Sequence, residues 1–477
     1  MTTSAETHMS ETPALATPAT FDVVSPVTGE VTSREVAMTP AEATDRVRAA
    51  ADAQRAWAGT THAERRNLLL RAADLLEREA EGHIATMMME VGATRPWAEM
   101  NIHETVATLR EAAAVTSSPT GEFLPSAIPG VTNHSLREPA GVSLSIVPWN
   151  APLILAARSS LISLALGNAV VVRPSEESPV SAGHLLAGVL SRAGLDPSLF
   201  AVVTSAPEQG KEVIGAMVDA PDVRRVVFIG STPVGRAIAA RAGAALTPCV
   251  LELGGKNATI VRADADLGPW IPQLAFASFA NTGQVCMCTD RLLVHRSRFE
   301  EIVEGLARHA DHIVVGDPRE ATTDIGPLIN QAAVDRFHEL VRDATANGGT
   351  IVAGGTADGL YARPTVLTDV SESCRYFGEE GFAPIVSITP FEHDDEAVQL
   401  VNSNDYGLIG SIVGEDRHAC YSLAQRMHAG AVHVNGPSVG DEPHVPFGGL
   451  GASGMGRLGG TSSIDFFTEQ RTFYVRS

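Results

Sequence analysis

Lysine is nearly missing from this 477-residue chain: Lys211 and Lys256 are the only two, and arginine carries the rest of the positive charge. Cationic side chains are also outnumbered, 35 Lys and Arg against 56 Asp and Glu, for a formal net charge of -21. That balance argues against a nucleic acid or an anionic membrane as partner. Cysteine is scarce. Cys249, Cys286, Cys288, Cys374 and Cys420 are odd in number and scattered, which fits reduced thiols in a cytoplasmic protein better than a disulfide framework. No apolar run reaches the ~18–20 residues of a membrane span. Residues 1–20, rich in Thr, Ala, Ser and Pro, lack the basic start and apolar stretch of a secretory signal and are expected to form a disordered tail.

With 44% apolar and 19% charged residues, the chain has the composition of a globular protein, long enough for two or three domains. Thr39-Pro40-Ala41-Glu42 is a capping box with proline at the first helical position, predicting a helix to about Trp57. Thr61-His62-Ala63-Glu64 repeats the signal before the Leu-rich stretch Leu68 to Leu76. The first core strand is expected at 142–147. Short β-branched runs at 169–172, 201–204 and 226–229 then alternate with helix-length segments at 180–193 and 234–245, the pattern of βαβ units on a parallel sheet. Alternation resumes through 259–261, 313–315, 351–353 and 432–434. The fold class is α/β, with two Rossmann-like parallel-sheet domains meeting near Glu252.

Three short segments carry the chemistry. Cys286 closes Phe279-Ala280-Asn281-Thr282-Gly283-Gln284-Val285-Cys286, and Glu252 lies in Leu251-Glu252-Leu253-Gly254-Gly255-Lys256. Asn150 ends Pro148-Trp149-Asn150. A thiol, a carboxylate and an amide are a nucleophile, a base and an oxyanion donor, the set needed to oxidise an aldehyde through a thioester. Each has an ordinary alternative: a buried structural thiol, a surface or capping carboxylate, a turn asparagine. Burying an ionised Glu252 in the apolar run 249–253 is costly, so a raised pKa is expected there. Cys288 makes a Cys-x-Cys with Cys286, but no second Cys/His pair accompanies it and no metal is expected. Phe228-Ile229-Gly230-Ser231-Thr232-Pro233-Val234-Gly235 follows a strand and opens a helix, whose N-terminus suits a pyrophosphate. Gly449-Leu450-Gly451-Ala452-Ser453-Gly454 matches the dinucleotide fingerprint literally, but only 23 residues follow it, too few for a βαβ unit and a further domain.

At these motifs the chain resembles the aldehyde dehydrogenase superfamily, from about Phe21 to the C-terminus. The resemblance implies that Cys286, Glu252 and Asn150 are catalytic. It implies NAD or NADP as cofactor, NAD preferred, held by Trp149, Arg173, Ser175, Glu176, Gly230, Ser231, Gly235, Leu253, Glu380 and Phe382. Arg173 stands where the family usually has lysine; it favours a 2′-phosphate, whereas Glu176 disfavours one. Implied domains are 21–119 with 139–251 for the cofactor and 252–460 for catalysis. An arm of 120–138 and 461–477 implies a homodimer or homotetramer. Within the family the chain is most similar to the benzaldehyde, salicylaldehyde and vanillin dehydrogenase branch. That implies an aromatic aldehyde as substrate, in a pocket of Trp97, Ala151, Ile154, Arg158, Met287 and Phe447. Arg158 then pairs with an anionic substituent or stacks on an aryl ring, or is merely a surface arginine. A semialdehyde or aliphatic aldehyde on the same machinery is the alternative, and a catalytically silent binding protein the reading from another class.

Overall fold

The computed structural model describes residues 19–476. Most of the expected tail lies outside that range, and Thr20 already opens the strand Thr20–Val24, paired antiparallel with Val31–Val36. Helices Pro40–Ala58 and His62–Arg78 start at the two capping boxes, in which Thr39 and Glu42, then Thr61 and Glu64, satisfy each other's backbone N–H groups. Each cap is worth about 1 kcal/mol. Helices Ala80–Glu90 and Arg95–Val115 come next; neither begins with a side-chain cap bond, and neither was expected from the sequence.

The first large sheet runs, in spatial order, Gly454–Met455, Cys249–Glu252, Val223–Ile229, Val142–Val147, Ala169–Pro174 and Phe200–Val202, parallel except for its first strand. Val142–Val147 is buried throughout, so its two serines need partners: Ser143 Oγ meets Ser163 Oγ at 2.9 Å and Ser145 Oγ donates to the Ser159 carbonyl at 2.9 Å. The expected helix 180–193 is two pieces, a π-helical turn Val180–His184 and an α-helix Leu185–Arg192. Glu90 accepts the N–H groups of Val180 (2.9 Å) and Ser181 (2.7 Å) and so caps that turn from a distant helix.

The second sheet runs Thr350–Ala353, Thr365–Thr368, Ile385–Phe391, Arg291–His295, Ala258–Val261, Ile409–Val413 and Ala431–Val434, parallel except for its first strand. The strand expected at 313–315 does not form; Ile313 caps helix Phe299–His312, and only the isolated bridge Val315–Ile325 remains. Only 253–257 separate the two sheets in the chain, so Glu252 ends one and Gly254-Gly255-Lys256 leads to the other. A third, antiparallel sheet joins Gly121–Leu124, Val131–Pro139 and Thr468–Arg476, with Phe123 and Tyr474 exposed. Helix Gly460–Phe467 precedes the last of these strands and buries Phe467.

Candidate active site

The Cys286 loop is held in a costly shape. Asn281 (φ 47°), Thr282 (φ 59°) and Gly283 (φ 69°) are successive left-handed residues, and each non-glycine there costs ~1 kcal/mol or more. A Cβ on Gly283 would lie 2.1 Å from the Ala383 carbonyl oxygen, so only glycine fits. Thr282 Oγ1 donates to the Gly326 carbonyl (2.9 Å), Gln284 Oε1 accepts the Ile329 N–H (2.9 Å), and Asn257 Nδ2 donates to the carbonyls of Cys286 (2.7 Å) and Cys288 (2.8 Å). Asn150, at the entry to helix Pro152–Ala165, donates its amide to the Gln284 carbonyl at 2.9 Å. Its own carbonyl accepts from Trp97 Nε1 (2.9 Å) and Asn281 Nδ2 (3.0 Å). Asn150 and Cys286 are thereby locked to one framework.

Glu252 is buried at its strand end, and both carboxylate oxygens lack a hydrogen-bond partner. Burial pushes its pKa up to about 8 against the opposing pull of Arg158 and Arg457. Cys286 keeps some surface toward the cavity, yet the protein packed around it, then the Glu380 and Glu252 carboxylates, push its thiol up to about 12. At neutral pH the site by itself therefore holds a thiol and a carboxylic acid.

Cys286, Glu252 and Asn150 line one cavity of about 550 Å³ with Trp149, Leu253, Glu380 and Phe382. A second cavity, about 680 Å³, is lined by Arg173, Ser175 and Glu176 and shares Trp149, Gly230, Ser231 and Pro233 with the first. The two form a continuous groove over the N-terminus of helix Thr232–Ala244, where no side chain caps the helix. Gly235 does not line it; there a Cβ would lie 2.5 Å from the Leu253 side chain, so this glycine permits the helix to approach. Arg173 and Glu176 do not pull in opposite directions as separate charges: they form an ion pair at 3.0 Å, and Arg173 also donates to Ser205 Oγ at 3.2 Å. Glu380 accepts the Gly255 N–H at 3.0 Å, and a Cβ on Gly254 would sit 2.2 Å from its carboxylate. Phe382 meets Trp149 edge to face, ring centroids 5.8 Å apart.

On the far side of Cys286, Met287 and Phe447 pack in one apolar cluster with it. Arg158 is not a surface arginine. It pairs with Asp441, donates to the Glu442 carbonyl at 3.1 Å, and lies 5.6 Å from the Phe447 ring centroid. Ala151 and Ile154 open the same helix, with the Ile154 N–H directed at Asn101 Oδ1 (3.4 Å). Trp97 lines a separate cavity of about 420 Å³ with His309 and His312, and only its indole N–H reaches the site. Asn257, Asp290, Arg336, Tyr406 and Asp441 went unassigned from the sequence. Asn257 follows directly on Leu251-Glu252-Leu253-Gly254-Gly255-Lys256, but adjacency does not reveal where a side chain points. Among the described residues no His, Cys, Asp and Glu cluster can hold a metal.

Residues 15–473 match the aldehyde dehydrogenase family. The chain is 40% identical over 453 residues to the vanillin dehydrogenase of Pseudomonas fluorescens, covering 95% of this chain and 93% of the relative. It is 38% identical to a benzaldehyde dehydrogenase [NAD(+)] of Pseudomonas putida over 94% of this chain and 92% of that one. The crystal structure of a salicylaldehyde dehydrogenase from Pseudomonas putida G7, complexed with salicylaldehyde, superposes with a TM-score of 0.94 at 35% identity, covering 96% of this chain and 95% of the other. With its two α/β sheets meeting at the Cys286–Glu252 cavity, this chain belongs to the aldehyde dehydrogenase family.

Proposed function

We propose that the protein oxidises an aromatic aldehyde to its carboxylic acid with NAD. The observation that carries the chemistry is the shared cavity of Cys286, Glu252 and Asn150, joined through Trp149, Gly230, Ser231 and Pro233 to the second cavity at the helix N-terminus. The residues present fit that group: the uncapped helix at Ser231, the carboxylates Glu176 and Glu380, and the Trp149–Phe382 pair would hold it. When bound, it supplies the hydride acceptor. Cys286 gives up its thiol proton to water in the cavity and adds to the aldehyde carbon as thiolate, and the Asn150 amide and the Cys286 N–H stabilise the oxyanion, each donor contributing ~3 kcal/mol. Loss of hydride from that tetrahedral carbon leaves a thioester on Cys286. Glu252, ionised, takes a proton from water as the water attacks the thioester, releasing the acid and restoring the thiol.

Support for an aromatic substrate comes from the vanillin, benzaldehyde and salicylaldehyde dehydrogenases among its relatives, and from Phe447, Met287 and Arg158 beside Cys286. NAD is favoured because the Arg173–Glu176 pair leaves Arg173 without a free charge for a 2′-phosphate. The exposed apolar residues of the three-stranded sheet support assembly as a homodimer or homotetramer through that arm. The test is absorbance at 340 nm with benzaldehyde, salicylaldehyde, vanillin, succinic semialdehyde and hexanal against NAD and NADP separately. A kcat/KM lead for the three aromatic aldehydes with NAD is expected. A lead for hexanal or the semialdehyde would discard the aromatic assignment.

A further inference from the structure

One of the chain's two lysines is buried beside the active site and lines neither cavity. The Lys256 side chain has no exposed surface; its ammonium lies 3.4 Å from the centre of the Tyr376 ring and 3.2 Å from Asp290 Oδ2. The same Asp290 oxygen accepts the Gly381 N–H at 3.0 Å, between Glu380 and Phe382. Tyr376 is fixed in turn, its hydroxyl donating to the Ile385 carbonyl at 2.6 Å. Gly381 packs so closely that a Cβ would lie 3.0 Å from Tyr376 and 3.2 Å from Asp290. A buried ion pair is a poor source of stability, since apolar groups of similar volume commonly do as well, whereas losing one partner is costly. Its place behind the 380–382 segment calls for another explanation.

We infer that Lys256 is a positioning residue for cofactor binding, acting through Asp290 and Gly381 to set the placement and charge of Glu380 and the placement of Phe382. This rests on the reading of the groove given above. The groups acting on the Glu380 carboxyl have defined signs. Burial pushes it up to about 7; the Gly255 N–H, Lys256 and Arg336 pull it down, and Asp290 pushes it up. Cys286, Cys288 and Tyr406 also feel its charge, and Glu379 precedes it. Carboxylate at position 380 accepts hydrogen bonds from ribose hydroxyls better than carboxylic acid does. Lys256 thus keeps the binding form populated near neutral pH without touching the ligand.

The experiment is NAD titration of the full-length protein, followed by tryptophan fluorescence since Trp149 lines the groove, from pH 6 to 9. Lys256→Met is expected to weaken NAD binding tenfold or more at pH 7 and to move the acid limb of the binding curve to higher pH. Asp290→Asn retains an acceptor for the Gly381 N–H but removes the charge that opposes Glu380 ionisation, so it should move that limb to lower pH. The double variant Lys256→Met/Asp290→Asn should return both affinity and limb toward wild type. A purely structural role predicts lost stability in all three with no opposed shifts. An unmoved limb, or a double variant as weak as Lys256→Met, overturns the inference. If Lys256→Met does not fold, the downward shift in Asp290→Asn decides alone, and its absence counts against the inference. Wild-type protein that bound no dinucleotide at any pH would overturn the reading of the groove and this inference with it.

Discussion

Replacing Glu252 by glutamine is expected to make the protein more stable while stopping its turnover. An unfolded glutamate ionises near 4.5, whereas buried Glu252 holds its proton to about 8. The folded state therefore loses stability as pH rises through that interval, by about 1.4 kcal/mol per unit, and the loss is complete above the folded pKa. At pH 7 the wild type carries a penalty of about 3 kcal/mol. Glutamine abolishes the pH-dependent part but leaves a buried amide short of partners, a cost of about 1–3 kcal/mol that does not vary with pH. The discriminating quantity is thus the widening of the gap between variant and wild type, about 2 kcal/mol from pH 6 to pH 8. Urea unfolding of both proteins at pH 6, 7 and 8 reads it, compared pairwise at each pH because a chain of this size need not unfold in two states. A gap independent of pH, or one that narrows, would show that Glu252 is solvated in the folded protein. In the same variant a burst of one reduced cofactor per site should be followed by a stall, since thioester hydrolysis loses its base.

Three further outcomes follow from the site. With the Cys286 thiol pushed up to about 12, alkylation of the isolated protein by iodoacetamide should accelerate steeply from pH 7 to 10 without levelling off; a plateau by pH 8 would mean the thiolate is already formed. Cys286→Ala should remove this labelling and all oxidation. Arg158→Leu leaves the partly buried Asp441 without its cation and removes the charge over Phe447, so salicylaldehyde and vanillin should lose more kcat/KM than benzaldehyde. Equal losses on all three would reduce Arg158 to a partner of Asp441.

Much of this architecture is written in local pattern. Ala169–Pro174 opens as a β-branched run because a strand covered on both faces needs no polar alternation. The two capping boxes fix helix starts within their own four residues. What escaped depends on distant partners. The π-helical turn at Val180 is capped by Glu90, ninety residues away. Arg158 looks like a solvent residue until Asp441 and Phe447 are folded over it. Trp97 belongs to the right neighbourhood, but its ring faces another cavity, and sequence carries no information on that rotation. Ile313–Val315 has strand propensity with no neighbour in register, and pairing, not propensity, makes a strand.

The strand Gly454–Met455 closes the open edge of the first sheet against Leu251 and Glu252, and the Leu253 N–H donates to the Ser453 carbonyl at 2.9 Å. On a ribosome Glu252 therefore emerges about 200 residues before the strand that covers it, roughly 10–40 s at ordinary elongation rates. For that interval Cys249–Glu252 is a bare sheet edge, able to recruit a wrong strand. Such a late, long-range closure slows folding. A chain truncated before Gly454 would keep Cys286, Glu252 and Asn150 and still leave its first sheet unsealed.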